Sequence, residues 1–193
     1  MDQHGINQRK SGLIRKLWPA IWLLTLLLGG CIYSIQPWYE AGAGGADPAL
    51  LGVWQDAEDE ESWVFMATGD TLRLLYREKG RTSEFAAASF HVGGQGFLDL
   101  SPAPGAWDEG PAGWYLLPMH GLHLWSVDGD TLRLSSLRPE SLENVLALGG
   151  HPPLDRREDR WIFTGSRAEM AAFLAGRLLD PGLFGDPTVM VRK

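Results

Sequence analysis

The groups in this chain whose chemistry could matter are one thiol, five imidazoles and a run of carboxylates. The thiol is Cys31, and with no second cysteine the chain can form neither an internal disulfide nor a CxxC redox or metal pair. No serine stands in a Gly-x-Ser-x-Gly elbow, so nucleophilic catalysis has no recognisable seat. His120 and His123 are the sharpest metal candidates. Three residues apart on a strand they point to opposite faces, and only a turn at Gly121 would bring them together. His91 ends a long expected strand and reads as a packing or rim residue. The acidic run "DAEDEES" (56–62) offers carboxylates but lacks the spaced ligands and turn glycine of a calcium loop, so it reads as a solvated hairpin loop. "HVGGQG" (91–96) is glycine-rich but leads into no helix, which makes it a hairpin turn rather than a phosphate cradle. These residues point to no catalytic centre, no metal and no cofactor, and the chain is expected not to be an enzyme.

Cys31 is placed by what precedes it. Arg9, Lys10, Arg15 and Lys16 form a basic leader, and residues 17–30 carry no charge, which is the order of a secretory signal. Gly29 and Gly30 then supply the small, extended approach that a signal peptidase needs. Leu28-Gly29-Gly30-Cys31 therefore resembles a bacterial lipobox. That resemblance implies a diacylglyceryl group on the Cys31 thiol, cleavage before Cys31, acylation of the freed amine and anchoring in the membrane. With Ile32 rather than aspartate after Cys31, it further implies an outer-membrane protein facing the periplasm. The alternative is an uncleaved transmembrane helix, since no charge appears between Lys16 and Glu40 and about 20 apolar residues span a bilayer. Gly29, Gly30, Ser34, Gln36 and Pro37 are poor material for the second half of such a helix.

The charge balance excludes other partners. The chain carries 17 Lys+Arg against 24 Asp+Glu, and residues 1–30 hold four of the former and one of the latter, so the remainder is more acidic still. Nucleic-acid binding and adhesion to anionic lipid both rest on basic patches, and neither is expected.

Stepping from Cys31 into the body of the chain, "AGAGGADPA" has too little side chain to pack and reads as a flexible tether. The expected organisation is a signal peptide over 1–30, a lipidated N-terminus and tether over 31–49, and one folded domain over 50–193. Within that domain the apolar residues alternate. "TLRLLY" (71–76) and "TLRLSS" (131–136) each place leucines on one face and an arginine on the other, and each follows a turn. Strands are expected over 52–55, 62–67, 71–77, 84–92, 96–101, 113–117, 122–127, 131–137 and 161–164. Close turns without intervening helices predict a mainly β fold, an antiparallel meander that closes as a small barrel or folds as a sandwich. Two short helices are expected in the C-terminal third. "RPESLENVLALGG" has Pro139 in the first turn and Gly149 at the cap. "SRAEMAAFLAGRLL" opens on Ser166 and Glu169 at capping-box spacing.

Gly52-Val53-Trp54 at the head of the first strand, with the meander and late helix behind it, resembles the lipocalin pattern. The resemblance implies an eight-stranded barrel whose closed end is plugged by Trp54, with an arginine near the last strand, Arg160, over the indole. The block order "CIYSIQPWY", "LLGVW", "FLDLSP", "MHGLHLW", "GDTLRL" is also similar to a group of uncharacterised bacterial envelope lipoproteins. Trp63, Phe65, Phe85, Phe97, Trp114 and Trp125 are then either lining for a small apolar ligand or plain core, and sequence leaves a hollow and a filled barrel both open. A filled barrel would serve as a structural or protein-interaction module. The intact mass of the membrane-extracted protein tests the N-terminal reading: residues 31–193 plus acyl chains are expected, and an unmodified, uncut N-terminus would make the segment a membrane span.

Overall fold

The computed structural model describes residues 32–56, 61–105, 117–157 and 160–193. The signal-like segment, Cys31, the middle of the acidic run, Trp114 and all but the last residue of the expected strand 113–117 lie outside the described residues.

After β1 (Ile32–Ser34) and a 3-10 turn at Pro48–Leu50, the chain forms β2 (Gly52–Asp56), β3 (Ser62–Thr68), β4 (Thr71–Glu78), β5 (Arg81–Val92), β6 (Gln95–Pro102), β7 (Gly121–Asp128) and β8 (Thr131–Ser136). Then follow α1 (Pro139–Ala147), β9 (Leu154–Arg157), β10 (Arg160–Phe163), α2 (Arg167–Arg177) and β11 (Thr188–Arg192). Strands β2 to β8 run as an antiparallel meander, and β11 pairs with both β8 and β2, which closes an eight-stranded barrel of lipocalin-like form. The choice between barrel and sandwich is thus decided, because closure leaves no exposed edge among these strands.

Local sequence explains the turns. Lys79 and Gly80 both have positive φ (48° and 75°), as do Gly93 and Gly94 (59° and 81°). Two such residues in succession make the tight hairpin whose twist matches the flanking strands, so "HVGGQG" is the β5–β6 turn. The α2 capping box is present in full, with the Ser166 hydroxyl accepting from the Glu169 backbone N–H and Glu169 accepting from the Ser166 N–H. Pro139 opens α1 without costing a hydrogen bond.

Two apolar cores share one wall. Inside the barrel lie Leu50, Trp54, Phe65, Leu72, Leu98, Leu132 and Met190, all nearly inaccessible. Outside, Phe90, Phe97 and Leu122 project from β5, β6 and β7 into a second core with Trp38, Leu142, Phe163, Met170 and Leu174. Both helices and a three-stranded sheet, β1-β10-β9, cover that wall. Strand β6 is therefore buried along most of its length, on both faces.

Three expectations need correcting. Residues 32–49 are not a loose tether: Ile32 pairs in parallel with Trp161, and Trp38 is fully buried with its ring edge-on to Phe163 at 5.5 Å. The glycine-rich stretch is held as well: Gly45 exchanges backbone hydrogen bonds with Ser89 of β5 at 2.8 and 2.9 Å, and Asp47 donates its N–H to the Ser89 hydroxyl at 2.9 Å. Strand 161–164 was expected in the meander but belongs, as β10, to the outer sheet. Its place in the barrel is taken by β11, which sequence reading missed.

The arginine over Trp54 is Arg192, not Arg160. Its guanidinium lies 4.1 Å from the indole centroid, and it donates to the Leu51 carbonyl and, at 2.9 Å, to that of Ala49. Register explains the exchange, since Arg192 on β11 stands opposite Trp54 on β2, whereas Arg160 pairs with Arg157 outside the barrel. Trp54 in turn donates its indole N–H to Leu50 at 2.7 Å. Last strand, first strand and 3-10 turn are thereby tied into one floor. Arg192→Ala is expected to lower the unfolding free energy by about 2 kcal/mol, from the lost cation–π contact and charged hydrogen bonds. Urea denaturation checks this, and a loss below about 0.5 kcal/mol would show that the floor holds without the arginine.

Candidate ligand-binding cavity

The floor occupies only one end of the barrel. Trp54, Phe65, Leu72, Leu132 and Met190 point inward near the 3-10 turn and the β3–β4 and β7–β8 turns, where large side chains fill the space. Toward the other end the inward positions along β4, β5, β6, β7 and β8 become Tyr76, Ser83, Pro102, His123 and Ser136. A cavity of about 410 Å³ opens there, within the range of small-molecule sites. Its walls are mainly apolar, from Trp63, Leu74, Phe85 and Leu100. At one side it reaches Ile32, Leu122 and Leu137, where the two cores meet, and Leu117 and Met119 stand at its mouth with Leu117 largely exposed.

The aromatic residues singled out from sequence divide among distinct places. Trp63 and Phe85 line the cavity, Phe65 and Trp125 pack inside the barrel, and Phe97 points outward into the second core. The barrel is thus filled at one end and hollow at the other.

His120 and His123 fall on opposite faces of the wall, as their spacing predicts. His120 points outward, its Nδ1 2.6 Å from the Asp99 carboxyl, which also accepts the Trp38 backbone N–H at 2.9 Å. His123 points into the barrel, its Nδ1 3.1 Å from the Ser136 hydroxyl across the β7–β8 pair. The His123 ring sits deep in the wall yet keeps part of its surface open, and it helps to line the cavity. Burial pushes its pKa down to about 4, so it is neutral at physiological pH. Burial also raises the Tyr76 pKa, helped by Glu61 and Glu78, so the phenol stays protonated and donates to Glu78 at 3.1 Å. Among the described residues the Trp63 indole N–H has no hydrogen-bond acceptor. His91 is exposed at the floor end of the barrel wall, edge-on to Trp125 with 5.5 Å between ring centres, which is the rim position of the packing-or-rim expectation.

Two of these arrangements were missed from sequence. Asp99 alternates with leucines in "FLDLSP", and the pattern assigns its face to water; nothing in β6 itself says that a second core covers that face. The His123–Ser136 contact depends on the β7–β8 register, which the Asp128-Gly129-Asp130 turn fixes and from which it could have been read. Among the described residues no three His, Cys, Asp or Glu side chains converge as a metal site, and no helix is long and apolar enough to cross a membrane.

No family model, curated protein or solved structure matches the chain.

The depressed His123 pKa has a pH signature. The unfolded chain protonates this imidazole below its ordinary value near 6.5, while the folded chain resists until about pH 4. Stability is therefore intact above about pH 6.5 and falls progressively toward pH 4, by up to about 3 kcal/mol from this one group. Chemical denaturation at pH 7 and pH 4.5 checks it. His123→Phe is expected to flatten the difference between the two, and an unchanged difference would assign the acid sensitivity to other groups.

Proposed function

We propose that this chain is a non-enzymatic, lipid-anchored lipoprotein of the cell envelope, held through acylated Cys31 in an outer membrane and facing the periplasm, whose barrel binds a small apolar ligand. The observation that carries the binding half is the half-filled barrel. A packed floor with an open cavity above it is what a ligand site requires, whereas a purely structural barrel of this size has no reason to leave the space empty. The anchoring half rests on the basic leader, the uncharged run and Leu28-Gly29-Gly30-Cys31. Three acyl chains at Cys31 would hold far more firmly than the single chain that gives only reversible attachment.

A second reading, a module that presents a surface to another envelope protein, has one observation in its favour. Val53, Val189 and Val191 stand partly exposed on the outer face of β2 and β11, on the barrel wall formed where the last strand meets the first.

Trp63 in the cavity wall makes the two readings separable by fluorescence. Titration with apolar molecules of graded size is expected to give saturable quenching that Leu74→Trp, by filling the cavity, weakens at least about tenfold, a loss of about 1.4 kcal/mol. No response across the panel would favour the interaction module. Cys31→Ser is expected to release the protein from the membrane without altering ligand affinity, and full retention in the membrane would favour an uncleaved span.

A further inference from the structure

The cavity carries a chemical preference in the polar groups it has and in the charges it lacks. Among the described residues that line it there is no lysine or arginine. The described ends of the β2–β3 connection at the same end of the barrel add none and bring Asp56 and Glu61 instead. Of the basic groups at this end of the barrel, Lys79 and Arg81 of the β4–β5 hairpin interact with Glu78, Lys79 through a 3.0 Å ion pair, and Arg77 and Arg138 adjoin the lining residues Tyr76 and Leu137 without lining the cavity themselves. Glu78 and Glu61 also crowd the Tyr76 phenol at the mouth.

Inside, the polar groups of a mainly apolar wall are the His123–Ser136 pair, the Ser83 hydroxyl and the phenols of Tyr33 and Tyr76, and the pair is the one that carries a ring nitrogen. One hydrogen bond between them leaves the pair one donor and two acceptor sites, whichever tautomer the ring adopts. Trp63, in the same lining, brings an indole N–H without an acceptor among the described residues. A hydroxyl or ester oxygen finds partners in such a wall. A free carboxylate finds no countercharge, and desolvating it without one is costly.

We propose that the ligand is a neutral amphiphile, an apolar chain ending in an uncharged hydroxyl or ester, with the head held by His123 and Ser136, and that the cavity discriminates against fatty-acid anions of the same chain length. This rests on the cavity-binding reading above and adds the class of ligand. The rim acids reinforce the discrimination by repelling an anion on its way in. Specificity of this kind comes from what the site withholds as much as from what it offers.

The test is a matched set of probes, decanol, methyl decanoate and decanoate, titrated against the full-length protein at pH 8 with tryptophan fluorescence as readout. Decanol and the ester are expected to bind at least about tenfold more tightly than decanoate. His123→Phe, which keeps an aromatic ring but removes the polar edge, is expected to shrink that ratio. Ser136→Ala asks the same question with a smaller change, should the first variant fold poorly. Decanoate binding as tightly as decanol, or more tightly, would overturn the headgroup inference while leaving the cavity as a ligand site. Failure of all three to saturate would overturn the cavity reading itself and the headgroup inference with it.

Discussion

A barrel wall buried on both faces leaves its polar groups no water to turn to, and in this molecule that constraint is concentrated on Asp99. Its carboxyl is 3 % exposed in the middle of β6, between the inner core and the outer one. It is satisfied by two elements far away in sequence, the Trp38 backbone N–H and the His120 imidazole. A buried acid without partners costs about 1–3 kcal/mol or more, so the outer layer is required by the wall as well as attached to it. Once Trp38 is fixed, Phe163 packs edge-on to it, Phe173 of α2 packs on Phe163 at 5.4 Å, and β10 is positioned to receive β1. The outer core grows from that single polar contact.

The inner core follows a different logic. Alternation along each strand supplies its residues, and their size decides where it ends. Large side chains crowd the end with the 3-10 turn, and the same inward positions shrink or turn polar toward the opposite rim. Hollow space in a protein forfeits contacts that a filled core would make, so the cavity represents stability that the barrel forgoes. A neutral imidazole and a hydroxyl in that space are tolerable because they share a hydrogen bond. The same pair carries the acid sensitivity derived from the buried ring.

Much of this was legible in the chain. The hairpin turns, the strand alternation, both helix starts and the Gly52-Val53-Trp54 signature are local features, written in residues that sit next to one another, and each was read from them. What escaped reading was non-local. Nothing in β6 itself announces that an outer layer covers its outer face, so Asp99 drew no notice and residues 32–49 read as a tether. Arg192 was passed over for Arg160 because β11 is five residues long and follows a loop rich in proline and glycine, with too few alternations to announce a strand. The cavity is not a property of any strand. It depends on which inward residues the closed register stacks at the same height, and sequence alone does not give that register.

Closure by β11 also sets an order of events. Arg192 and Trp54 stand opposite each other in the barrel though nearly the whole folded chain separates them. Contacts of such separation form late and slowly, because the chain between must already be arranged. Until the final strand arrives, β2 and β8 are two open edges and Trp54 lacks its cover. A chain without β11 would lose the floor and the seam at the same moment, with unpaired strands exposed to other copies. The seam thus acts as a latch: the wall shuts only when β11 is in place between β8 and β2.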